Sequence, residues 1–144
     1  MWLRLREEVL VSCPAQKVWA QCFAGFVQAW PRISTTLTSL SRLDDAPIGV
    51  GTVVLATGTN PRGKVSFRME VVQFDPPRVF AVRGPNGATE RYELDETPDG
   101  TVVRAITGTP LDWRGVLNYW TLRAWSRKHA RSDLQRLKTE AEGS

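Results

Sequence analysis

Hydrophobic and polar positions alternate along most of the chain, and this alternation predicts short β-strands. Residues 2–11 interleave apolar side chains with Arg and Glu, which indicates a first strand. Further β-type runs follow between residues 34 and 109, each bounded by turn-forming residues. We predict these strands at 34–43, 51–59, 64–74, 78–84, 88–96 and 101–108. Because the links between them are short, we expect an antiparallel meander.

Helical spacing replaces the alternation directly after the first strand. Pro14 suits the first turn of a helix, where its missing N–H is not needed. One apolar helix face then follows, formed by Ala15, Val18, Trp19, Cys22, Phe23 and Phe26. We expect Gly25 to break this helix and the Trp30-Pro31 corner to end its second piece.

A second helical segment closes the chain. Thr109, Pro110 and Asp112 predict a helix start, with a capping hydroxyl, a proline and an acid at the positive end. The helix is predicted to reach about residue 139, with Gly115 as its only weak point. Its apolar stripe is expected to face the interior and comprises Trp113, Val116, Leu117, Trp120, Ala124, Leu134 and Leu137.

Size and composition place the chain among ordinary globular proteins. Its 144 residues, 42% of them hydrophobic, predict one domain spanning 1–144 with a core that needs no disulfide. Cys13 and Cys22 lie nine residues apart on one predicted helix, which is about 13 Å and too far for a bridge. Reduced cysteines, charges near the N-terminus and no apolar run of membrane-spanning length lead us to expect a cytoplasmic protein.

The net charge of +4 raises the question of a nucleic-acid partner. The excess of positive charge is concentrated between residues 114 and 138, a stretch with seven basic residues and a single acidic one, Asp133. A single basic helix is more typical of a solvated face, so we do not expect nucleic acid as a partner. A basic regulatory or nucleic-acid-interacting protein stays a third hypothesis, and it predicts an affinity that falls steeply with salt.

The order of elements predicts an α+β protein. A curved antiparallel sheet of about seven strands would wrap around the long C-terminal helix, with the broken helix after strand 1 closing one end. Five segments, in this order, carry a resemblance: "CPAQKVWAQC", "AWPRI", "IGVGT", "VVQFDPPRVFAV" and "ELDETPDGTVVRAITG". They resemble the START/Bet v 1-like (SRPBCC) superfamily, in its polyketide cyclase/dehydratase and lipid transport branch.

This resemblance implies a helix-grip fold with a hydrophobic cavity between the sheet and the C-terminal helix. Members of the superfamily bind lipids, sterols, polyketides or plant metabolites, and some catalyse aromatic ring closure and dehydration. No catalytic motif is shared across the superfamily, so the resemblance transfers no catalytic residue to this chain.

Aromatic and apolar side chains on the predicted inner surfaces are the candidates for ligand binding. In the strand at 64–74, Phe67 and Met69 share one face, and Tyr92 takes the corresponding position in the strand at 88–96. Flat aromatic faces suit conjugated or alicyclic ligands, although core packing is the alternative role for each. The predicted ligand-binding set is Trp30, Phe67, Met69, Tyr92, Trp113, Leu117 and Trp120.

Polar candidates are few. Tyr92 and Arg104 are the candidate catalytic residues, because a phenol donates a hydrogen bond to a carbonyl and a buried arginine needs a charged partner. Glu90 is a further possible polar group of the cavity. His129, the only histidine, is expected on the solvated helix surface. One histidine and two distant cysteines predict no metal site, and "GVGT" at 49–52 predicts a turn rather than a cofactor loop.

Two principal hypotheses follow. The first is a chamber that binds a small hydrophobic, polyketide-like or lipid molecule and catalyses its cyclisation or dehydration, without a cofactor. The second is a non-catalytic carrier or sensor of lipids or metabolites. Two convergent polar side chains in the cavity would favour the enzyme, whereas a purely apolar lining would favour the carrier. In either case we expect a monomer or homodimer.

Overall fold

The computed structural model describes residues 1–143 and contains a seven-stranded antiparallel sheet. The strands are β1 (Trp2–Val11), β2 (Leu37–Arg42), β3 (Val53–Asn60), β4 (Gly63–Asp75), β5 (Val79–Arg83), β6 (Thr89–Thr97) and β7 (Gly100–Pro110). Each boundary lies within three residues of its predicted position, so the alternation located every strand. The order across the sheet is β1-β7-β6-β5-β4-β3-β2, which confirms the meander and adds β1 beside β7.

The sheet is curved, and two irregularities in its register help to bend it. The pairing of β2 with β3 shifts between Leu37 and Ser39, and that of β4 with β5 shifts between Val71 and Gln73. An extra residue on one strand increases the local twist and bends that strand. The concave face receives the helices, as the helix-grip expectation requires.

The helical segment after β1 is broken as predicted. It comprises α1 (Ala15–Trp19), a π-helical stretch (Ala20–Ala24) and α2 (Phe26–Ile33), with Gly25 at the break. The expected end at the Trp30-Pro31 corner is wrong, because α2 continues to Ile33. Trp30 and Ile33 are both buried, and burial of this apolar face outweighs the hydrogen bond that Pro31 cannot donate.

The C-terminal helix begins later than predicted and consists of two pieces. β7 continues through Pro110, so Thr109 is not the cap. Asp112 caps α3 (Trp113–Leu117) instead, since its carboxylate accepts a hydrogen bond from the Gly115 amide at 2.8 Å. Asn118 separates α3 from α4 (Tyr119–Glu142). Among the helices of residues 1–143, none combines the length and apolarity needed to cross a bilayer.

The predicted inward stripe is wrong in its first half. Trp113, Leu117 and Trp120 are 67%, 75% and 77% exposed, whereas Leu134 and Leu137 are buried as expected. Trp113 and Leu117 precede the break at Asn118 and so do not share the helical phase of Leu134 and Leu137. Trp120 lies in the first turn of α4, whose buried residues begin only at Leu134.

Ion pairs then fix how α4 is rotated about its axis. Glu7 points from β1 towards α4, and its carboxylate lies 3.1 Å from Arg127 and 3.3 Å from Arg131. With these two arginines on the β1 side, Trp125 and His129 become half-buried. The expectation that His129 is a solvated surface residue is therefore wrong.

The core is an aromatic cluster centred on the fully buried Phe80 of β5. Its ring centroid lies 5.1 to 6.1 Å from those of Trp19, Phe23, Phe26, Trp30 and Phe74. These edge-on and tilted contacts are the arrangements that aromatic rings prefer. The broken helix thus packs into one end of the curved sheet through its rings.

We expect Phe80→Ala to lower the free energy of unfolding by about 3 to 5 kcal/mol, because it leaves a cavity among five neighbouring rings. Urea unfolding followed by far-UV circular dichroism measures this loss. Leu55→Ala, on an exposed position of β3, is the matched control and should change stability by less than about 0.5 kcal/mol. Equal effects of the two substitutions would contradict a core organised around Phe80.

Candidate functional site

A cavity of about 250 Å³ lies between the concave face of the sheet, α2 and α4. Strand alternation directs Phe67 and Met69 of β4 into it, and β6 contributes Tyr92 in the same way. The apolar lining is completed by Trp30, Ile33, Leu37, Val82, Ala88 and Leu137. The interior of the sheet is therefore not filled by side chains alone.

The cavity opens into a surface groove of about 500 Å³. The residues common to both spaces are Thr36, Leu37, Phe67, Pro85, Ala88 and Thr109, and they form the mouth. Ligand sites commonly measure about 300 to 1,000 Å³, so the cavity alone is small. A larger molecule would place one end in the cavity and extend through the mouth into the groove.

Trp30 is fixed in the cavity wall by both ends of its side chain. Its indole Nε1 donates a hydrogen bond to the Cys22 carbonyl oxygen at 3.1 Å. Its ring lies 5.3 Å from Phe80 and 5.7 Å from Tyr92, measured between centroids. With its N–H satisfied, Trp30 offers the cavity an apolar aromatic surface.

Tyr92 and Glu90 form a polar pair in this largely apolar wall. They lie two residues apart on the inward face of β6, and the Tyr92 hydroxyl donates a hydrogen bond to Glu90 Oε1. Burial raises the pKa of Glu90 to about 6; the hydrogen bond from Tyr92 opposes this rise, and the negative charge of Asp133 adds to it. Burial, with Glu90 alongside, raises the pKa of Tyr92 well above its ordinary value, so its phenol stays neutral.

Asp133 brings a second carboxyl group to the cavity from α4. Its Oδ1 accepts hydrogen bonds from the backbone amide and the hydroxyl of Thr35, each at 2.7 Å. Burial raises the pKa of Asp133, and the Thr35 hydrogen bonds partly counteract this. Asp133 is half-buried and lines the same cavity as Glu90, so α4 and β6 each contribute one carboxyl group to it.

His129 extends this polar network away from the cavity. Its Nδ1 lies 2.6 Å from the Thr35 hydroxyl oxygen, and its ring centroid lies 4.3 Å from that of Trp125. Because the Thr35 hydroxyl donates its single hydrogen to Asp133, Nδ1 of His129 carries the hydrogen and donates to Thr35. His129 and Thr35 therefore hold Asp133 in place rather than face the cavity.

The seven predicted ligand-binding residues fall into two groups. Four of them line the cavity, namely Trp30, Phe67, Met69 and Tyr92, and their contact with a ligand stays a prediction. The other three, Trp113, Leu117 and Trp120, lie on the outer surface and do not border the cavity. Their expected inward position is wrong, because Trp113 and Leu117 precede the break at Asn118 and Trp120 lies in the exposed first turn of α4.

Arg104 also lies outside the cavity. Thr101, Val103 and Ala105 take the inward positions of β7, so alternation turns Arg104 to the outer face. There its guanidinium lies 3.1 to 3.3 Å from the carboxylates of Glu8, Glu93 and Asp95. The prediction of an inward, catalytic Arg104 is contradicted by this position. Glu90, the other polar residue considered for the cavity, does line it.

Sequence reasoning missed Asp133 and Thr35. One signal was present: Asp133 is the only acidic residue between 114 and 138, and it follows His129 by four positions. Residues four apart share a helix face, so these two polar side chains pointed to one side of the helix. Thr35 had no comparable signal, because its role depends on how the segment after α2 crosses α4.

The family model described as "Polyketide cyclase / dehydrase and lipid transport" matches residues 3–142. The chain belongs to this family. The polyketide cyclase / dehydrase and lipid transport family thus accounts for nearly all of the sequence, and it confirms the resemblance noted from the five segments. No curated protein sequence gives a significant match to this chain.

Solved structures of the same fold are distant in sequence. The di-domain ARO/CYC StfQ from the steffimycin biosynthetic pathway superposes with a TM-score of 0.81 at 16% identity. The match covers 99% of this chain and 51% of StfQ, so this chain spans about half the length of StfQ. The Zhui aromatase/cyclase from Streptomyces sp. R1128 gives 0.75 at 17% identity, covering 99% and 94% of the two chains. Ara h 8.0201 gives 0.74 at 10% identity, covering 100% of both. Identities this low establish the shared fold alone.

The raised pKa of Glu90 makes stability depend on pH. Its carboxyl titrates at about 6 in the folded protein against 4.5 ordinarily, so the folded state holds the proton more tightly. The stabilisation is complete below about pH 4.5 and is lost as the pH rises through about 6. This difference of about 1.5 in pKa corresponds to about 2 kcal/mol.

The unfolding free energy of the parent protein should therefore fall by about 2 kcal/mol, through Glu90 alone, as the pH rises across this range. We expect this part of the fall to be absent in Glu90→Gln. Urea unfolding at a series of pH values between 4 and 8 measures it. Glu93→Gln is the matched control, since Glu93 lies on the outer face of the same strand and should leave the fall in place. A Glu90→Gln protein with an unaltered pH profile would show that Glu90 is not buried as described.

Proposed function

We propose that this protein binds a small, hydrophobic, carbonyl-bearing molecule of the polyketide-like type and catalyses its cyclisation or dehydration. The observation that carries the proposal is the Glu90–Tyr92 pair, a carboxyl with a pKa of about 6 set into an aromatic cavity wall. Family membership is consistent with this chemistry, since its description includes both cyclase and dehydrase activity as well as lipid transport.

Glu90 suits the role of general acid and base. A group with a pKa near the working pH populates both protonation states, so it can accept a proton and return it within one catalytic cycle. Its carboxylate would remove a proton from the carbon next to a substrate carbonyl, giving an enolate. The enolate carbon would then form a bond to a second carbonyl carbon, and protonated Glu90 would return the proton to the new alkoxide.

Tyr92 is placed to stabilise the enolate. Its phenol keeps its proton, and once Glu90 is protonated it no longer needs the Tyr92 hydrogen bond. The hydroxyl is then free to donate to the developing enolate oxygen. In a subsequent dehydration, the Glu90 carboxylate would remove the proton next to the carbonyl and pass it to the leaving β-hydroxyl, which departs as water while the carbon–carbon double bond forms. Asp133 would stay hydrogen-bonded to Thr35.

The cavity itself would contribute by holding the substrate folded. Trp30, Phe67 and Met69 offer apolar surfaces against which a flexible chain can fold so that its reacting carbons meet. Well-oriented intramolecular reactions reach effective molarities of about 10⁵ M or more, so orientation supplies a large part of the rate. Aromatase/cyclase names among the structural neighbours, StfQ and Zhui, support the suitability of the fold for such substrates.

The enolisation step can be tested without knowing the natural substrate. We expect the protein to accelerate exchange of the methyl protons of 2-acetylnaphthalene for deuterium in D₂O, followed by proton NMR. The rate should rise with pH through about 6, since the carboxylate form of Glu90 is the base. Glu90→Gln should lower it by a factor of about 10² or more, whereas Glu93→Gln should leave it unchanged.

Binding is measured separately, from the quenching of tryptophan fluorescence by 2-acetylnaphthalene. Binding without accelerated exchange would overturn the proposed catalysis and favour the carrier hypothesis. Exchange that survives in Glu90→Gln would remove Glu90 from the mechanism.

A further inference from the structure

An exposed apolar cluster marks the surface of the C-terminal helices. We call Trp113, Val116, Leu117 and Trp120 the tryptophan patch; their exposed fractions are 67%, 44%, 75% and 77%. Within α3, Val116 and Leu117 lie three and four residues after Trp113, so these three share one side of that helix. Trp120 follows in the first turn of α4, directly after the break at Asn118. Single exposed apolar residues are normal, but four exposed large apolar residues within residues 113–120, two of them tryptophans, indicate a docking surface.

The surroundings of the patch are positively charged. Residues 113–132 include five basic side chains and no acidic one. Arg123, Lys128 and Trp120 border the same shallow surface groove, so cations lie directly beside the patch. At the start of α3, the guanidinium of Arg114 lies 5.2 Å from the centre of the Trp113 ring. Whatever covers the patch must therefore be apolar in part and negatively charged around it.

We propose that the tryptophan patch docks onto the surface of an anionic lipid bilayer. Tryptophan side chains favour the boundary between headgroups and acyl chains, where the ring is buried and the N–H stays hydrated. Leucine and valine beside them would enter the upper acyl region, and the flanking arginines and lysine would meet anionic headgroups. The patch thus combines the apolar and the electrostatic contributions that interfacial binding requires.

Charge argues against a second copy of this chain as the occupant. A symmetric dimer built on the patch would place the same surface of both partners in contact. The basic surroundings of the patch on one chain, which include Arg114, Arg123 and Lys128, would then face the same basic surroundings on the other, with no acidic residue among 113–132 to compensate them. A bilayer rich in anionic lipid meets the same cations with opposite charge.

The patch lies close to the mouth of the cavity along the chain. Thr109 borders the mouth and Pro110 borders the groove outside it, and Trp113 follows three residues later. Only a few residues of chain thus separate the mouth of the cavity from the patch. This inference goes beyond the proposed catalysis and does not depend on it, because it concerns the surface and not Glu90.

Co-sedimentation with vesicles tests the proposal on the full chain. We expect binding to vesicles of phosphatidylcholine and phosphatidylglycerol at 7:3, with much weaker binding to phosphatidylcholine alone. The double variant Trp113→Ser/Trp120→Ser should bind the anionic vesicles at least about tenfold more weakly, since it removes the largest apolar surface of the patch. Leu55→Ser, an exposed leucine on β3, is the matched control and should bind like the parent protein.

The electrostatic part has its own pair of variants. Arg123→Glu/Lys128→Glu should weaken binding to the anionic vesicles by more than about tenfold, because each cation near such a surface contributes to binding. Arg68→Glu, on an exposed position of β4, should have a much smaller effect. Circular dichroism of each variant confirms that these surface changes leave the fold intact.

Several outcomes would overturn the proposal. One is an absence of binding to the anionic vesicles. Another is a pair of results that would indicate diffuse charge attraction. In that case Trp113→Ser/Trp120→Ser would still bind the anionic vesicles, and Arg68→Glu would weaken binding as much as Arg123→Glu/Lys128→Glu. A dimer in sedimentation equilibrium that Trp113→Ser/Trp120→Ser dissociates would assign the patch to a second copy. Tighter binding to a single-stranded oligonucleotide than to vesicles would assign it to nucleic acid.

Discussion

A single helix cannot fill the concave face of a seven-stranded sheet, and the packing around Phe80 decides where the unfilled space lies. Rings from α1, the π-helical stretch and α2 occupy one end, with centroids 5.1 to 6.1 Å from that of Phe80. On the other side, α4 buries only a few apolar side chains, Leu134 and Leu137 among them. The cavity lies between these two contributions, with Trp30 on one wall and Leu137 on the other. Its position therefore follows from side-chain volumes.

The rotation of α4 about its axis determines which of its residues reach that cavity. Arg127 and Arg131 pair with Glu7, whose side chain is only 15% exposed, and Asp133 is bonded to Thr35. Partly buried ion pairs add little net stability, but they specify one arrangement over others. Here they turn Asp133 towards the cavity and leave the opposite side of the helix in solvent. The same contacts thus account for the second carboxyl group of the site.

The strands were predictable because apolar and polar side chains alternate with a period of two along each of them. This pattern identifies the inward face even where the predicted ends of a strand are off by a few residues. Phe67, Met69 and Tyr92 were placed correctly for this reason, since each strand was in phase. The C-terminal helix was not, because its phase depends on one irregular residue, Asn118, and on ion pairs with a distant strand. The assumption that apolar residues face inward failed there. The prediction for Arg104 failed for a different reason. Arg104 was placed among the cavity groups, but it shares the outer face of β7 with Val102 and Ile106.

The two carboxyl groups of the cavity are the feature that an apolar container does not need. Burial raises the pKa of both, so each is destabilising when charged at neutral pH. Their environments differ, however: Asp133 is held by two hydrogen bonds from Thr35, whereas Glu90 is bonded to a single phenol, Tyr92. Both hydrogen bonds from Thr35 fall on Oδ1 of Asp133, and they hold this carboxyl group in one orientation. Of the two, Glu90 has the freedom and the pKa for proton transfer, and Asp133 has the fixed position suited to supporting it.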